Sequence, residues 1–110
     1  MIKRTSKSHI DKILSEKKNW KILDIGCGFN PNQYATTICD VLDLKEQYSD
    51  KKFVKLDSEN LPFADNEFDF VIASHVLEHV KDPTKFLNEI SRVANQGYIE
   101  AVSYTHLRAH

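Results

Sequence analysis

No sign of charge prevails in this sequence: 15 lysines and arginines stand against 16 aspartates and glutamates, a formal net charge of -1. A chain so balanced exerts no overall pull on a polyanion, so charge-driven binding to nucleic acid or to an anionic membrane is not expected. Long apolar runs are missing too. No stretch approaches the roughly 20 residues that a bilayer-spanning helix needs. The basic start, "MIKRTSKSHIDKILSEKKNW", is not followed by the apolar block of a secretory signal. The expectation is a cytoplasmic protein. Cysteine is scarce as well: Cys27 and Cys39 are not in C-x-x-C spacing. Inside a cell such thiols stay reduced, and both read as small buried apolar residues.

At 110 residues, 41% of them apolar, the chain can build one modest core and not two. Ile10, Ile13 and Leu14 fall at i, i+3, i+4, which predicts a short amphipathic helix ending near Lys17 and Lys18. The period then changes. Ile22 to Ile25 is a short apolar run halting on Gly26, "TTICD" a second ending in Asp40, "KFVKLD" a third ending in Asp57, and "FDFVIAS" a fourth ending near Ser74. Each reads as a strand and each finishes on a polar residue. "DPTKFLNEISRVANQG" predicts a helix with Asp82 as N-cap, Pro83 in the first turn and Gly97 just past the end. Its apolar face is Phe86, Leu87, Ile90, Val93 and Ala94. Helices alternating with short apolar strands imply an α/β layered fold built on a parallel sheet. Only about a dozen residues separate Gly28 from Asp40, with Pro31 among them, so an irregular or single-turn connection is expected there instead of a full crossover helix.

In a sheet of that kind ligands bind outside the carboxyl ends of the strands, so residues at those ends are placed for chemistry. "LDIGCGFNP", Leu23 to Pro31, has the form D-x-G-x-G. Two positions without β-carbons let the backbone turn sharply and approach a ligand, and Asp24 adds a carboxylate suited to a cationic group. The third glycine of a G-x-G-x-x-G dinucleotide fingerprint is absent, since Pro31 stands in its place. The acid before the glycines would also repel a diphosphate, and no G-K-[ST] follows to make a P-loop.

"ILDIGCGFNP", then Asp40, then "DSENLPFADNEFDFVIASHVLEHVKDPTKFLNEISRVANQGYIE" resembles the cofactor half of a class I S-adenosylmethionine-dependent methyltransferase of the type 11 kind, over about residues 21 to 100. The resemblance implies a Rossmann-like fold, S-adenosyl-L-methionine as cofactor, and transfer of its methyl group to an acceptor. It also implies that Asp24, Gly26 and Gly28, with Cys27 between them, surround the methionyl part. Asp40 would accept from both ribose hydroxyls, with Asp43 as the alternative, and Val41 or Leu42 would lie against the adenine. Asp57 would meet the adenine amino group with the backbone of Ser58 beside it. Ser74 and His75 take the position near the methionyl group and the transferred methyl, where His75 is also a candidate base or orienting group for the acceptor.

"SHVLEHV", Ser74 to Val80, spells H-x-x-E-H through His75, Glu78 and His79, an inverted zinc-protease signature. A metalloprotease would need a longer helix for both histidines and another ligand downstream, for which only Glu89 and Glu100 offer themselves. No metal site is assigned. The alternatives carried beside the methyltransferase are a non-catalytic module that binds the same cofactor and a metal-dependent hydrolase using these three residues.

Three segments are expected: 1–20 as a basic, partly helical lead, 21–101 as the first part of the cofactor-binding domain, and 102–110 as a non-native tail. The string "VSYTHLRAH", Val102 to His110, resembles the translated read-through of a transposon adapter used in sequencing libraries. On that reading His106 and His110 carry no function. A class I domain normally has seven strands, so truncation after about the fourth strand or the start of the fifth is expected, with much of the acceptor half missing. The acceptor itself is not identified by the sequence, nor is the oligomeric state.

Overall fold

The computed structural model describes residues 7–26, 31–40, 43, 45–47, 50–56, 60–74 and 81–100. Helix α1 covers Lys7–Ser15, followed by β1, Ile22–Ile25, and β2, Thr37–Asp40. A single 3-10 turn, Lys45–Gln47, leads to β3, Lys52–Lys55, and then come β4, Phe70–Ser74, helix α2, Pro83–Val93, and β5, Gly97–Glu100. The five strands form one sheet in the order β3-β2-β1-β4-β5, and every neighbouring pair is parallel. All carboxyl ends therefore lie along one edge.

Period-two alternation divides the strands between two cores, as a sheet covered on both faces requires. Leu23, Ile25, Cys39, Val71 and Ala73 face the side taken by Phe86, Ile90 and Val93 of α2. Ile22, Ile38, Phe70, Ile72 and Tyr98 face the side taken by Ile10 and Leu14 of α1. Cys39 is fully buried, as its apolar reading predicts. β3 ends the sheet on one side and is the least buried of the first three strands.

α2 begins as expected, with Asp82 accepting from the Lys85 amide at 3.0 Å and Pro83 in the first turn. Its end differs. The cap is Ala94, in extended conformation, with its N–H donated to the Ile90 carbonyl, so no left-handed glycine is required. Gly97 is instead the first residue of β5, paired with Val71. A β-carbon built at Gly97 would stand 2.6 Å from Val71 Cγ1 and 2.8 Å from the Val71 carbonyl oxygen. This glycine permits close strand approach and does not stop the helix.

The block "LPFADNEFD" folds into a loop held onto α2. Arg92 donates from Nη2 to the Leu61 carbonyl at 2.9 Å and from Nη1 to the Phe63 carbonyl at 2.8 Å. Nη1 also meets Asp65 at 2.9 Å, and Nε donates to Glu89 at 2.6 Å. Glu89 in turn accepts from the Leu61 amide at 2.8 Å. These bonds hold the Glu89 carboxyl below its ordinary range and push the Arg92 guanidinium up. Asn66 takes a positive φ of 53°, a conformation that asparagine tolerates better than most residues, and its N–H donates to the Arg92 carbonyl at 2.8 Å. Leu61 and Phe68 enter the core on the α2 side, and Phe63 meets Phe68 edge to face with centroids 5.0 Å apart.

Candidate functional site

The topology selects one place on the carboxyl edge. The chain runs outward from β1 through β2 to β3, then returns to the other flank of β1 as β4. In open parallel sheets the crevice at such a reversal is where ligands bind. β1 lies at its centre, and the residue that follows it is Gly26.

Gly26 has φ 71°, in the left-handed region where a β-carbon is strained and glycine is not. Its N–H donates to the Cys39 carbonyl at 2.8 Å, so the turn leaves β1 while still tied to β2. Registers Ile25↔Cys39 and Ile25↔Ala73 then set Asp40 on one side of Gly26 and the Ser74 backbone on the other. Three of the expected site positions thus meet at one point of the sheet edge.

Asp24 is 4% exposed and Asp40 7%. By alternation both belong to the sheet face that α1 covers, since Asp24 follows the parity of Ile22 and Asp40 that of Ile38. Asp24 Oδ2 accepts from the Asn32 amide at 2.7 Å. Burying a carboxylate is costly unless it is hydrogen-bonded or matched by a cation, so two of them at a strand edge mark a polar site embedded in a core. The competing candidate for the second acid differs in exposure. Asp43 is exposed, and its carboxylate meets the Lys45 amide at 3.4 Å, at the entry to the 3-10 turn.

The donor and acceptor set fits the expected cofactor. An ammonium and a sulfonium are cations suited to buried carboxylates, and a ribose diol offers two donors to an acceptor-only group. The β-carbon-free turn at Gly26 provides the close backbone approach.

Cys27, Gly28, Val41, Leu42, Asp57, Ser58 and His75 lie outside the described residues, as do Glu78, His79 and the tail Val102–His110. β3 itself closes at Lys55, two residues before Asp57. Among the described residues no group of three or more His, Cys, Asp or Glu side chains is arranged to hold a metal, and no helix is long and apolar enough to cross a membrane.

Asn32 escapes a motif search, although it is buried at 5% exposure. Its Nδ2 donates to Asp11 Oδ1 of α1 at 2.7 Å, and its Oδ1 accepts from the Tyr34 amide at 2.8 Å. The one signal available in advance is its position directly after Pro31, in a connection too short to hold a crossover helix.

Comparison with known proteins places this geometry. The family described as "Methyltransferase domain" matches residues 23–99. Norajmaline N-methyltransferase of Rauvolfia serpentina is 34% identical over 113 aligned residues, covering 82% of this chain and 38% of its own length. Demethylmenaquinone methyltransferase of Renibacterium salmoninarum is 36% identical over 89, covering 70% and 38% respectively. The chain therefore spans about two fifths of the length of these relatives. The crystal structure of the trans-methyltransferase CalH in complex with S-adenosylhomocysteine superposes with a TM-score of 0.61 at 20% identity, over 78% of this chain and 32% of that one. That likeness shows a shared Rossmann-like fold, and the family match over residues 23–99 shows that the chain belongs to the methyltransferase domain family.

Proposed function

We propose that this chain is the cofactor-binding part of an S-adenosyl-L-methionine-dependent methyltransferase. The carrying observation is the β1 end: a buried carboxylate, Asp24, two residues before a left-handed glycine, at the switch point of a parallel sheet. Asp24 attracts the cationic methionyl end, and the Gly26 turn lets the backbone lie against it. Asp40 accepts from the ribose hydroxyls. Asp57 and the Ser58 backbone are assigned to the adenine, the Ser74 backbone to the methionyl side, and His75 to the acceptor as base or orienting group.

When bound, the cofactor supplies an electrophilic methyl on a sulfonium, so the protein contributes binding, alignment and removal of water, with little covalent chemistry of its own. The acceptor is not assigned. The two relatives are named for different acceptors, norajmaline in one and demethylmenaquinone in the other.

Titration calorimetry of the 110-residue chain with S-adenosylhomocysteine tests the reading. Saturable one-to-one binding is expected, weakened about 10- to 100-fold by Asp24→Asn, the cost of roughly 1.4 to 2.7 kcal/mol for losing a buried charge partner. Binding that is absent in the parent chain, or indifferent to Asp24, would refute it.

A further inference from the structure

We infer that helix α1 belongs to the cofactor site, with Asp11 and Asn32 as positioning residues that set the Asp24 carboxylate for the methionyl end of the cofactor. The inference rests on the functional reading above and extends it to two residues that lie outside every motif.

The β1–β2 connection explains why a distant helix is needed. Parallel neighbours are ordinarily joined through a helix of their own, which covers the sheet and stiffens the turn. Here the described part of the connection, Pro31 to Thr36, makes turns and no helix. α1, from the other side of β1 in sequence, provides the cover instead: Ile10 and Leu14 join Ala35 of the connection and Ile38 of β2 in one buried cluster.

Between those two apolar anchors Asp11 extends a polar link. Asp11 Oδ1 accepts from Asn32 Nδ2 at 2.7 Å, and the Asn32 amide donates to Asp24 Oδ2 at 2.7 Å. The Asn32 side chain is held at both ends, since Oδ1 accepts from the Tyr34 amide at 2.8 Å. It cannot turn without breaking two bonds. The far side of the connection is fixed separately: Lys51 Nζ donates to the Gln33 carbonyl at 3.1 Å and the Ala35 carbonyl at 2.8 Å. Thr36 is tied to Ile22 through its amide, which donates to the Ile22 carbonyl at 2.8 Å. The Asn32 carbonyl accepts from the Ala35 amide at 3.1 Å, and the bond from Asn32 Nδ2 to Asp11 joins this pinned connection to α1 beside Asp24. Without Asp11, Asn32 loses the acceptor of its Nδ2, and the amide that orients the Asp24 carboxylate depends on the bonds Asn32 receives within its own connection, from the Tyr34 and Ala35 amides.

The structure thus assigns Asp11 an effect confined to one end of the ligand. Two probes separate it from a general loss of stability: S-adenosylhomocysteine, which has the methionyl amino-acid portion, and 5'-methylthioadenosine, which keeps adenine, ribose and sulfur but lacks that portion. With the 110-residue chain, Asp11→Ala is expected to weaken S-adenosylhomocysteine about tenfold in calorimetry and to leave 5'-methylthioadenosine within about twofold, for loss of one charge-assisted hydrogen bond. Asp11→Asn retains an acceptor oxygen and is expected to restore most of the lost affinity. Equal weakening of both ligands, or no weakening of either, overturns the assignment of Asp11 while leaving the functional reading intact. Failure of the unsubstituted chain to bind either ligand overturns both.

Discussion

The two faces of the sheet are stabilised by different means. On the α2 side, among the described residues, twelve buried residues form a continuous core that takes in Leu61 and Phe68 of the loop between β3 and β4. Arg92 and Glu89 bind that loop to the helix through both side chain and backbone. On the α1 side the buried cluster has eight members, and its polar partners, Asp11, Asn32 and Asp24, run toward the sheet edge. The larger face holds the fold together; the smaller one carries both buried acids of the candidate site. A division of that kind lets ligand-facing groups vary in position without disturbing most of the apolar contacts.

The sharpest way to break the comparison is Phe86→Ala. Phe86 is 1% exposed at the centre of the larger core, and its truncation is expected to cost about 3 to 5 kcal/mol. Against a marginal domain that is enough to abolish the cooperative urea transition followed by circular dichroism. Leu14→Ala, on the smaller face, removes another side chain that is 1% exposed. It is expected to cost about 2 to 3 kcal/mol, because a peripheral helix near the chain's start relaxes more readily into the space left. Unlike a further loss on the α2 side, this change should also weaken S-adenosylhomocysteine in calorimetry under conditions where the chain stays folded. A variant that lost stability but kept full affinity would show that α1 covers the sheet without touching the site.

The smallest effect concerns pH. Hydrogen bonds from Arg92 and the Leu61 amide lower the Glu89 pKa from its ordinary value of 4.5. A depressed carboxyl contributes stability that is complete above that ordinary value and lost as pH falls through the lowered one. Thermal midpoints measured from pH 6 downward should therefore decline below about pH 4.5, and Glu89→Gln should flatten part of that decline while lowering the plateau. An acid limb unchanged by the substitution would assign the pH sensitivity to other carboxyls. Since the pair is partly solvated, the expected change is modest.

Much of this division was legible beforehand. Apolar runs with polar ends located the first, second and fourth strands, and the Asp82-Pro83 pair located the start of α2. D-x-G-x-G pointed to the turn after β1 because glycine there answers a backbone requirement that appears in the letters. Gly97 carried the same letter for another reason. Its need comes from Val71 across the sheet, and no local pattern distinguishes a helix stop from a close strand contact. Glu89 was legible only as a candidate downstream ligand for a metal site. Its partners, Leu61 and Arg92, could be joined to it only once the loop lay against α2. Asn32 and Asp11 were invisible for the same reason: 21 residues separate them.

By itself the sequence determined the α/β class, the order of the elements and the glycine turn with its acid, because periodicity and backbone allowance act between near neighbours. It also carried the family, through the block that follows β3. Tertiary structure alone decided that β4 returns beside β1 to open a crevice, that α1 covers a connection without a described helix of its own, and that Asn32 joins Asp11 to Asp24. Those outcomes depend on which buried surfaces meet and which buried polar groups find partners, and both are fixed only when distant segments pack.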